Sequence, residues 1–480
     1  MLDQSFSAKN FEDIFNRENR KGNINPELLS DEYKVIIENL KKLNQRQKEI
    51  FSKKKNNWTK EEKIEIKNLK DAIQAKQQNK QKSLEDYFKK IEKLVNQSSF
   101  RIKLNVKKDD EHKDLFFINK DDEKQFFVIK CLQRNIYRTF KVKQANRHVI
   151  MTQLKLLLNE SLPKYIIRTD VTHFFESISQ ERLFQKIETN TLLSNKSKTL
   201  IKAIVKEYEN LKDKTQYDLK LGIPRGIGVS SYLSELYMKD IDREISGREE
   251  ILYYVRYVDD IFLILSSLPM GQSLEEYYNG LKSVFKQEGL DIKDSNDPEK
   301  CQLINVHDKF SGSKNFNIKY LGYQIKVTKD DNGLHSEFNM TQDKIGKLKK
   351  RIEFAFEHFK SVSQSDIKKA RRDLLDCLNY ISGNYRLSKY KSGIKAGIYY
   401  SNDLLDNTKG LDNLTHCLHN INLDPYVKLF EDSDARNEYI KKMKKLIEKI
   451  DFKERWKNKQ MYNFSVHRLK EIGQWLDVKK

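Results

Sequence analysis

The sequence predicts an α+β protein in which a short antiparallel sheet lies between two mainly helical regions, and three observations carry that reading. Residues 31–97, and most of the chain from Thr341 onward, place apolar side chains at helical spacing among dense charge. Between them, residues 100–106, 165–167, 252–255, 261–265, 301–306 and 316–327 carry alternating or continuous apolar runs of strand length. Finally, Tyr257-Val258-Asp259-Asp260 stands between the apolar runs 252–255 and 261–265, the layout of a strand hairpin with two adjacent acids at its tip.

Taken in order, Thr59 with Glu62 makes a capping box, and Ile66, Leu69 and Ile73 follow on one helical face, so residues 31–97 read as a helical hairpin. Phe100, Ile102, Leu104 and Val106 then alternate as a strand does. Residues 115–118 and 126–131 read as strands flanking a polar turn over 119–124. A further buried strand at 165–167 leads into Asp170. Helical spacing returns between residues 179 and 210, and another helix follows the Gly-rich turn at 222–228, with Leu233, Leu236 and Tyr237 facing inward. A helix over 274–287 precedes short strands near 301–306 and 316–327. In the last third Ile345, Leu348, Ile352, Phe356 and Phe359 form a stripe. Lys344, Lys347, Lys349, Lys350 and Arg351 crowd the rest of that surface, which suits a solvated face and a duplex contact equally.

The formal charge of +21, from 91 Lys and Arg against 70 Asp and Glu in 480 residues, points to a polyanionic partner. Basic groups along a phosphate backbone release condensed counterions, although a general lysine bias of composition also yields such a charge. No run approaches the ~20 apolar residues of a membrane span. The opening Met1-Leu2-Asp3-Gln4-Ser5 lacks a basic and apolar leader, so a cytoplasmic protein without a membrane partner is expected. Cys131, Cys301, Cys377 and Cys417 are widely separated and suit reduced thiols. His416-Cys417-Leu418-His419 has no second ligand pair and reads as helical surface rather than as half a metal site.

Two adjacent carboxylates held at a hairpin tip repel one another, and burial adds to the cost, unless a cation neutralises them. An Asp-Asp pair alone is usually a solvated turn. Here Asp170 ends an earlier strand, and Gly222-Ile223-Pro224-Arg225-Gly226 lies between the two acidic positions. Nucleotidyl transfer uses two metals about 4 Å apart. Hard cations take carboxylate oxygens from several directions, which neighbouring strand ends supply.

These segments resemble those of reverse transcriptases, in the family's order, over roughly residues 134–327. Residues 168–178 (RTDVTHFFESI) resemble the first palm motif, 222–231 (GIPRGIGVSS) the second and 257–260 (YVDD) the third. Residues 289–292 (GLDI) with Lys300 resemble the fourth, and 320–323 (YLGY) the primer grip. The resemblance implies a right-hand polymerase of fingers, palm and thumb: a helical N-terminal region at 1–98, fingers at 99–165, a palm with interleaved fingers helices at 166–335, and a helical thumb at 336–480. It also implies that Asp170 and Asp259 bind both metals, Mg²⁺ or alternatively Mn²⁺, with Asp260 assisting and Val171 joining the metal and nucleotide sets.

Phe175 matches the aromatic gate that excludes a ribose 2′-hydroxyl, with core packing beside Phe174 as the alternative; strand alternation sends the two rings to opposite faces. Of the cations Arg134, Arg138, Lys141, Lys143 and Arg147, the resemblance assigns Arg138 and Lys141 to the triphosphate, against plain surface solvation. Lys300 takes the place of a general acid to the leaving pyrophosphate. Tyr257, Tyr320, Leu321 and Gly322 face primer and template, and Gly226 lets backbone approach the incoming nucleotide. Arg225 stands where retroviral and group II intron enzymes more often carry glutamine, which puts the handling of the template base in question.

No further acidic constellation of a nuclease is present in the C-terminal third. Residues 383–386 (GNYR) and 393–402 (GIKAGIYYSN), with 168–170 and 222–226, resemble bacterial defence-associated reverse transcriptases of the abortive-infection group, nearest to the smaller member of a paired antiphage system. That resemblance implies dNTPs, a DNA product, a template or noncoding RNA, and either a protein primer or untemplated addition. A homo-oligomer or a second reverse transcriptase enters as a partner on the same ground. Two alternatives stand beside it: an RNA-dependent RNA polymerase, and a catalytically silent RNA-binding scaffold.

Overall fold

The computed structural model describes residues 3–21, 24, 30–52, 58–109, 113–119, 122–212, 220–387, 394–427 and 433–476; Met1, Leu2, residues 120 and 121 of the expected polar turn, and Gly393 lie outside them. In chain order come helices α1 (Ala8–Lys21), α2 (Asp31–Phe51) and α3 (Lys60–Val95), strands β1 (Asn105–Lys108) and β2 (Asp114–Phe117), and helices α4 (Glu123–Phe140) and α5 (Arg147–Asn159). Strand β3 (Tyr165–Asp170) leads to α6 (Phe174–Ser177), α7 (Gln180–Glu188), α8 (Asn195–Leu211) and α9 (Gly228–Ser246). Strands β4 (Ile251–Tyr257) and β5 (Asp260–Leu265), α10 (Leu274–Gln287), β6 (Gln302–Asn305) and α11 (Val306–Gly312) follow. Next are β7 (Asn315–Tyr320), β8 (Tyr323–Asp330), β9 (Gly333–Met340), α12 (Gln342–Ser363) and α13 (Ile367–Ser382). The chain continues through β10 (Asn384–Arg386), β11 (Lys395–Gly397), α14 (Lys409–His419), α15 (Ser433–Ile447), α16 (Phe452–Lys457), β12 (Met461–Tyr462) and α17 (Val466–Leu476).

Contacts divide the chain into two compact units. The first holds residues 1–143 and 178–237. Here the expected helical hairpin is present as α2 and α3, with the Thr59–Glu62 capping box in place. Ile36, Leu40 and Ile73 form one buried seam and Ile50, Ile66 and Leu69 another, while Arg46 grips Glu65 by two hydrogen bonds of 2.7 and 3.0 Å. β1 and β2 pair antiparallel, Val106 opposite Phe116. Only Asn105–Lys108 of the alternating run is strand, although Ile102 and Leu104 are buried.

The strand expected at residues 126–131 is instead the beginning of α4, which starts from an N-cap in which Asp122 accepts a hydrogen bond from the Gln125 backbone N–H. A run of four apolar residues, Phe126 to Ile129, with Cys131 beyond Lys130, fits a buried strand or a buried helix, and only the continuation settles it. Leu132, Ile136 and Phe140 extend the buried face at helical spacing.

The second unit holds residues 144–177 and 238–480. Its central sheet has the order β4-β5-β3-β6, with every neighbour antiparallel. β7-β8-β9 form a second antiparallel sheet. One core joins the inner faces of both sheets to the helices that follow: Ile166, Phe262, Ile304, Ile318, Ile325, Phe338, Ile352, Phe356 and Phe359 are all buried in it. The expected stripe of α12 therefore faces that core, with Leu348 at its partly buried margin. The C-terminal third also carries a small sheet, β11-β10-β12, that the reading as nearly all helix did not include. Its strands are two or three residues long, too short to display a period. This is the α+β architecture that the sequence predicted, antiparallel sheets among mainly helical regions.

Candidate active site

The central sheet brings the three acids to one end. Residues 165–167 and 261–265 are apolar runs of buried inner strands, the first extended by buried Arg168, Thr169 and Asp170, and antiparallel pairing in full register sets Asp170 directly across from Asp260. Directly opposed residues hold their Cβ atoms about 4.5–5.5 Å apart on one face of the sheet. β4 and β5 turn over Val258 and Asp259, closed by the pair Tyr257 and Asp260. The Val171 backbone N–H donates to the Asp259 carbonyl at 3.0 Å, and the Lys293 N–H donates to the Asp170 carbonyl at 2.9 Å. These bonds, with the Val171–Ile292 bridge, fasten the residues after β3 between the hairpin and residues 291–293.

Charge is concentrated here. Asp170 is buried, and the Lys300 ammonium reaches its Oδ2 at 2.9 Å. That contact raises the Lys300 pKa above its ordinary value and keeps the side chain protonated. Burial, then the Asp259 charge, push the Asp260 carboxyl up to about 6 against the pull of the Arg168 guanidinium, with Asp170 adding to the rise. Arg168, itself buried, lies 3.7 Å from Asp260 Oδ1 and donates to the Glu299 carbonyl.

Among the described residues no three His, Cys, Asp or Glu side chains are gathered closely enough to hold a metal ion. The shared cradle expected of Asp170, Asp259 and Asp260 is therefore present as backbone placement and excess negative charge, not as a closed cage. Lys300 takes an oxygen of Asp170. An acidic set in which burial, then the neighbouring carboxylates, raise the Asp260 pKa fits a divalent cation by its charge and its hard oxygen donors.

Phe175 lies not on a strand but in the short helix α6, so strand alternation does not set its direction. Consecutive helical residues are turned by about 100° rather than 180°. Phe174 is buried while Phe175 is half-exposed, their rings 5.4 Å apart, so the two differ in exposure for a different reason from the one expected. The turn Tyr320-Leu321-Gly322-Tyr323 joins β7 to β8, with Leu321 and Gly322 both at positive φ (43° and 78°). The Tyr320 hydroxyl donates to the Asp260 carbonyl at 3.3 Å, tying this turn to the acidic hairpin. Arg147, grouped by sequence with the other upstream cations, instead clamps the Leu321 carbonyl with Nε at 2.8 Å and Nη2 at 2.6 Å.

The remaining candidates belong to the first unit. Arg138 lies in the last turn of α4, and Lys141 caps that helix in the left-handed conformation with its side chain exposed. The Gly222–Gly226 turn is pinned through its backbone: the Gly222 N–H donates to the Ile178 carbonyl at 2.8 Å, the Phe116 N–H to the Arg225 carbonyl at 2.8 Å, and Ser230 Oγ to the Pro224 carbonyl at 2.6 Å. Gly226 has φ +102°, and a Cβ there would stand 2.5 Å from the Phe116 carbonyl oxygen. The Arg225 guanidinium forms an ion pair with Asp109, which engages its charge within this unit. Arg168, Arg256, Asp242 and Asp109 were not singled out by sequence. Arg168, which opens the RTD segment, and Arg256, beside the YVDD segment, had a local signal to find them by, each an arginine on a strand that leads into an acid.

A family model for reverse transcriptase (RNA-dependent DNA polymerase) matches residues 53–325. No curated protein matches the sequence. Among solved structures, apo telomerase from Candida tropicalis aligns at 16% identity and TM-score 0.36, covering 79% of this chain and 62% of that one. Telomerase from Candida albicans, in complex with a TWJ fragment of telomeric RNA, aligns at 13% identity and TM-score 0.33, covering 74% and 62%. The Candida tropicalis telomerase truncated from its C-terminal domain gives 16% identity and TM-score 0.33, covering 50% and 55%. The chain thus spans less than two thirds of the length of these telomerase chains.

Proposed function

Because the chain belongs to the reverse transcriptase (RNA-dependent DNA polymerase) family, an enzyme class of RNA-directed DNA polymerases, we propose that it copies RNA into DNA from dNTPs with Mg²⁺ as its metal. The observation that carries this reading is the register pairing of Asp170 with Asp260 beside Asp259, an excess of negative charge, with Asp170 buried and Asp259 and Asp260 half-buried, at the end of a polymerase-type sheet. A bound metal pair supplies the charge that activates a primer 3′-hydroxyl and stabilises the leaving pyrophosphate. Asp170 and Asp259 would hold it, with Asp260 and the Val171 carbonyl beside them. Lys300, kept protonated by Asp170, carries at Nζ a proton available to the leaving oxygen. The half-exposed Phe175 ring excludes a ribose 2′-hydroxyl. Tyr257, with the Tyr320-Leu321-Gly322 turn that Arg147 holds, positions the primer end. In the first unit, Arg138 and Lys141 receive the triphosphate, and Gly226 with Arg225 forms the floor for the templating base.

By region, we assign residues 1–98 to an N-terminal helical region, 99–165 to fingers, 166–335 to palm with interleaved fingers helices and 336–480 to thumb. The resemblance of residues 383–386 and 393–402 to defence-associated enzymes supports a noncoding RNA partner and a role against phage, with a protein hydroxyl as one route of priming. The test is to purify the protein from cells carrying its native locus, sequence the nucleic acid bound to it, and assay dNTP and NTP incorporation. Bound RNA, a complementary DNA product and a preference for dNTPs are expected. Use of NTPs equal to dNTPs would replace this reading with an RNA polymerase. Metal-independent inertness toward both would leave a scaffold. Loss of phage protection in Asp259→Asn tests the cellular role separately.

A further inference from the structure

The turn that carries Asp259 is under backbone strain, and a buried arginine braces it. Val258 sits at φ +62°, in the left-handed region, where a β-branched residue is a rare outlier. Two-residue hairpin turns require positive φ and ordinarily place Gly, Asn or Asp there. Valine at this point persists only if its surroundings over-determine the conformation. Its own carbonyl shows how: Arg256 Nη1 donates to the Val258 oxygen at 2.7 Å. The rest of the same guanidinium is held by Asp242 of α9, Nε to Oδ1 at 3.0 Å and Nη2 to Oδ2 at 2.8 Å. The Tyr254 hydroxyl adds a bond to Asp242 Oδ1 at 2.6 Å. The Arg256 side chain is only 3% exposed, so each of these bonds forms away from water.

We propose that Arg256 and Asp242 are positioning residues of the acidic turn: the bidentate pair fixes the guanidinium so that Nη1 holds Val258 in the left-handed conformation, and this aims Asp259 and Asp260. The inference rests on the reading of Asp259 and Asp260 as the metal-binding acids of a polymerase. Neither Arg256 nor Asp242 touches substrate or metal in this scheme. A planar fork suits the task, because a lysine ammonium lacks the rigid pair of parallel N–H donors that engages both Asp242 oxygens while a third reaches the Val258 carbonyl.

The experiment compares wild type, Arg256→Met, Arg256→Lys, Asp242→Asn and the double variant Arg256→Met with Val258→Gly. Mn²⁺ binding is followed by EPR on the nucleotide-free chain, and dNTP incorporation kinetics are followed on an RNA template. Arg256→Met is expected to lower kcat at least tenfold with KM for dNTP changed less than threefold, and to weaken Mn²⁺ binding by a similar factor. Asp242→Asn and Arg256→Lys should fall between it and wild type. Glycine at 258 takes positive φ without steric cost, so the double variant should regain part of the lost Mn²⁺ affinity and kcat. A purely structural ion pair would not be rescued at that position. Unchanged Mn²⁺ affinity and kcat in both Arg256→Met and Asp242→Asn, or no recovery in the double variant, would overturn the brace. If Arg256→Met does not fold, Asp242→Asn decides by the same criteria. A wild type that binds Mn²⁺ more tightly than the variants yet incorporates no dNTP would keep the brace and sink the polymerase reading.

Discussion

Asp260 makes the sharpest statement a single residue makes here. Its carboxyl, pushed up to about 6 by burial and by the Asp259 and Asp170 charges, binds a proton more tightly in the folded chain than in the unfolded one, where the ordinary value is 3.8. Between about pH 4 and pH 6 the folded state therefore holds more protons, and metal-free stability falls as pH rises through that window. Two units correspond to about 3 kcal/mol, and partial solvent screening reduces that to about 1–2 kcal/mol. Asp260→Asn should stabilise the metal-free protein by about that amount at pH 7.5 and flatten the pH dependence of its denaturant midpoint. A destabilised Asp260→Asn would mean that keeping this buried carboxylate charged beside the other acids does not cost the metal-free fold stability.

At the same scale, Phe175→Ala should relax the preference for dNTPs over NTPs by about tenfold or more, read as a change in the ratio of kcat/KM values. Equal discrimination by the variant would return Phe175 to core packing beside Phe174. The acids were legible in the sequence because two adjacent carboxylates between apolar runs have few bland explanations once a third follows a nearby strand. Arg168 and Arg256 were not, because a buried arginine looks like any other until its partners, 131 and 14 positions away, are known.

The β1–β2 hairpin and the Gly222–Gly226 turn act as one element within the first unit, joined through Phe116, Arg225 and Asp109. Gly226→Ala places a methyl group 2.5 Å from the Phe116 carbonyl oxygen and 2.7 Å from Leu115 Cδ1, in a conformation that alanine resists. A loss of about 2–4 kcal/mol is expected, measurable by denaturant unfolding. A near-neutral change would mean that the hairpin does not rest on the turn. Elements whose apolar period runs long, such as α3 and α12, were read correctly from the sequence, and so was the hairpin with adjacent acids at its tip, whereas β9, which pairs with β8 across Asp331 and Asn332, was missed. α4 was misread over residues 126–131 because a short apolar run carries no period of its own. β10, β11 and β12 escaped because β12 pairs with β10 across 77 positions, which no local pattern records.

Across the whole molecule, a net charge of +21 makes nucleic-acid binding a salt-dependent property. The dissociation constant for an RNA–DNA hybrid should rise by about 10³-fold or more between 50 and 200 mM salt if six or more phosphates are contacted. A flat salt response would assign the charge to composition alone. The right-hand fold was legible from the order of the motifs along the chain, whereas the division of the chain into residues 1–143 with 178–237 and residues 144–177 with 238–480 was not, since each unit is assembled from two separate segments.

The most direct test of the central claim, that Asp170, Asp259 and Asp260 together carry nucleotidyl transfer, is dNTP incorporation on a defined RNA template by purified wild type, Asp259→Asn and the Asp259→Asn, Asp260→Asn double variant. The account predicts Mg²⁺-dependent synthesis by the wild type and at least a 10³-fold loss in both variants with the melting temperature and RNA affinity retained, a barrier increase of about 4 kcal/mol. Incorporation by the double variant at the wild-type rate would contradict it.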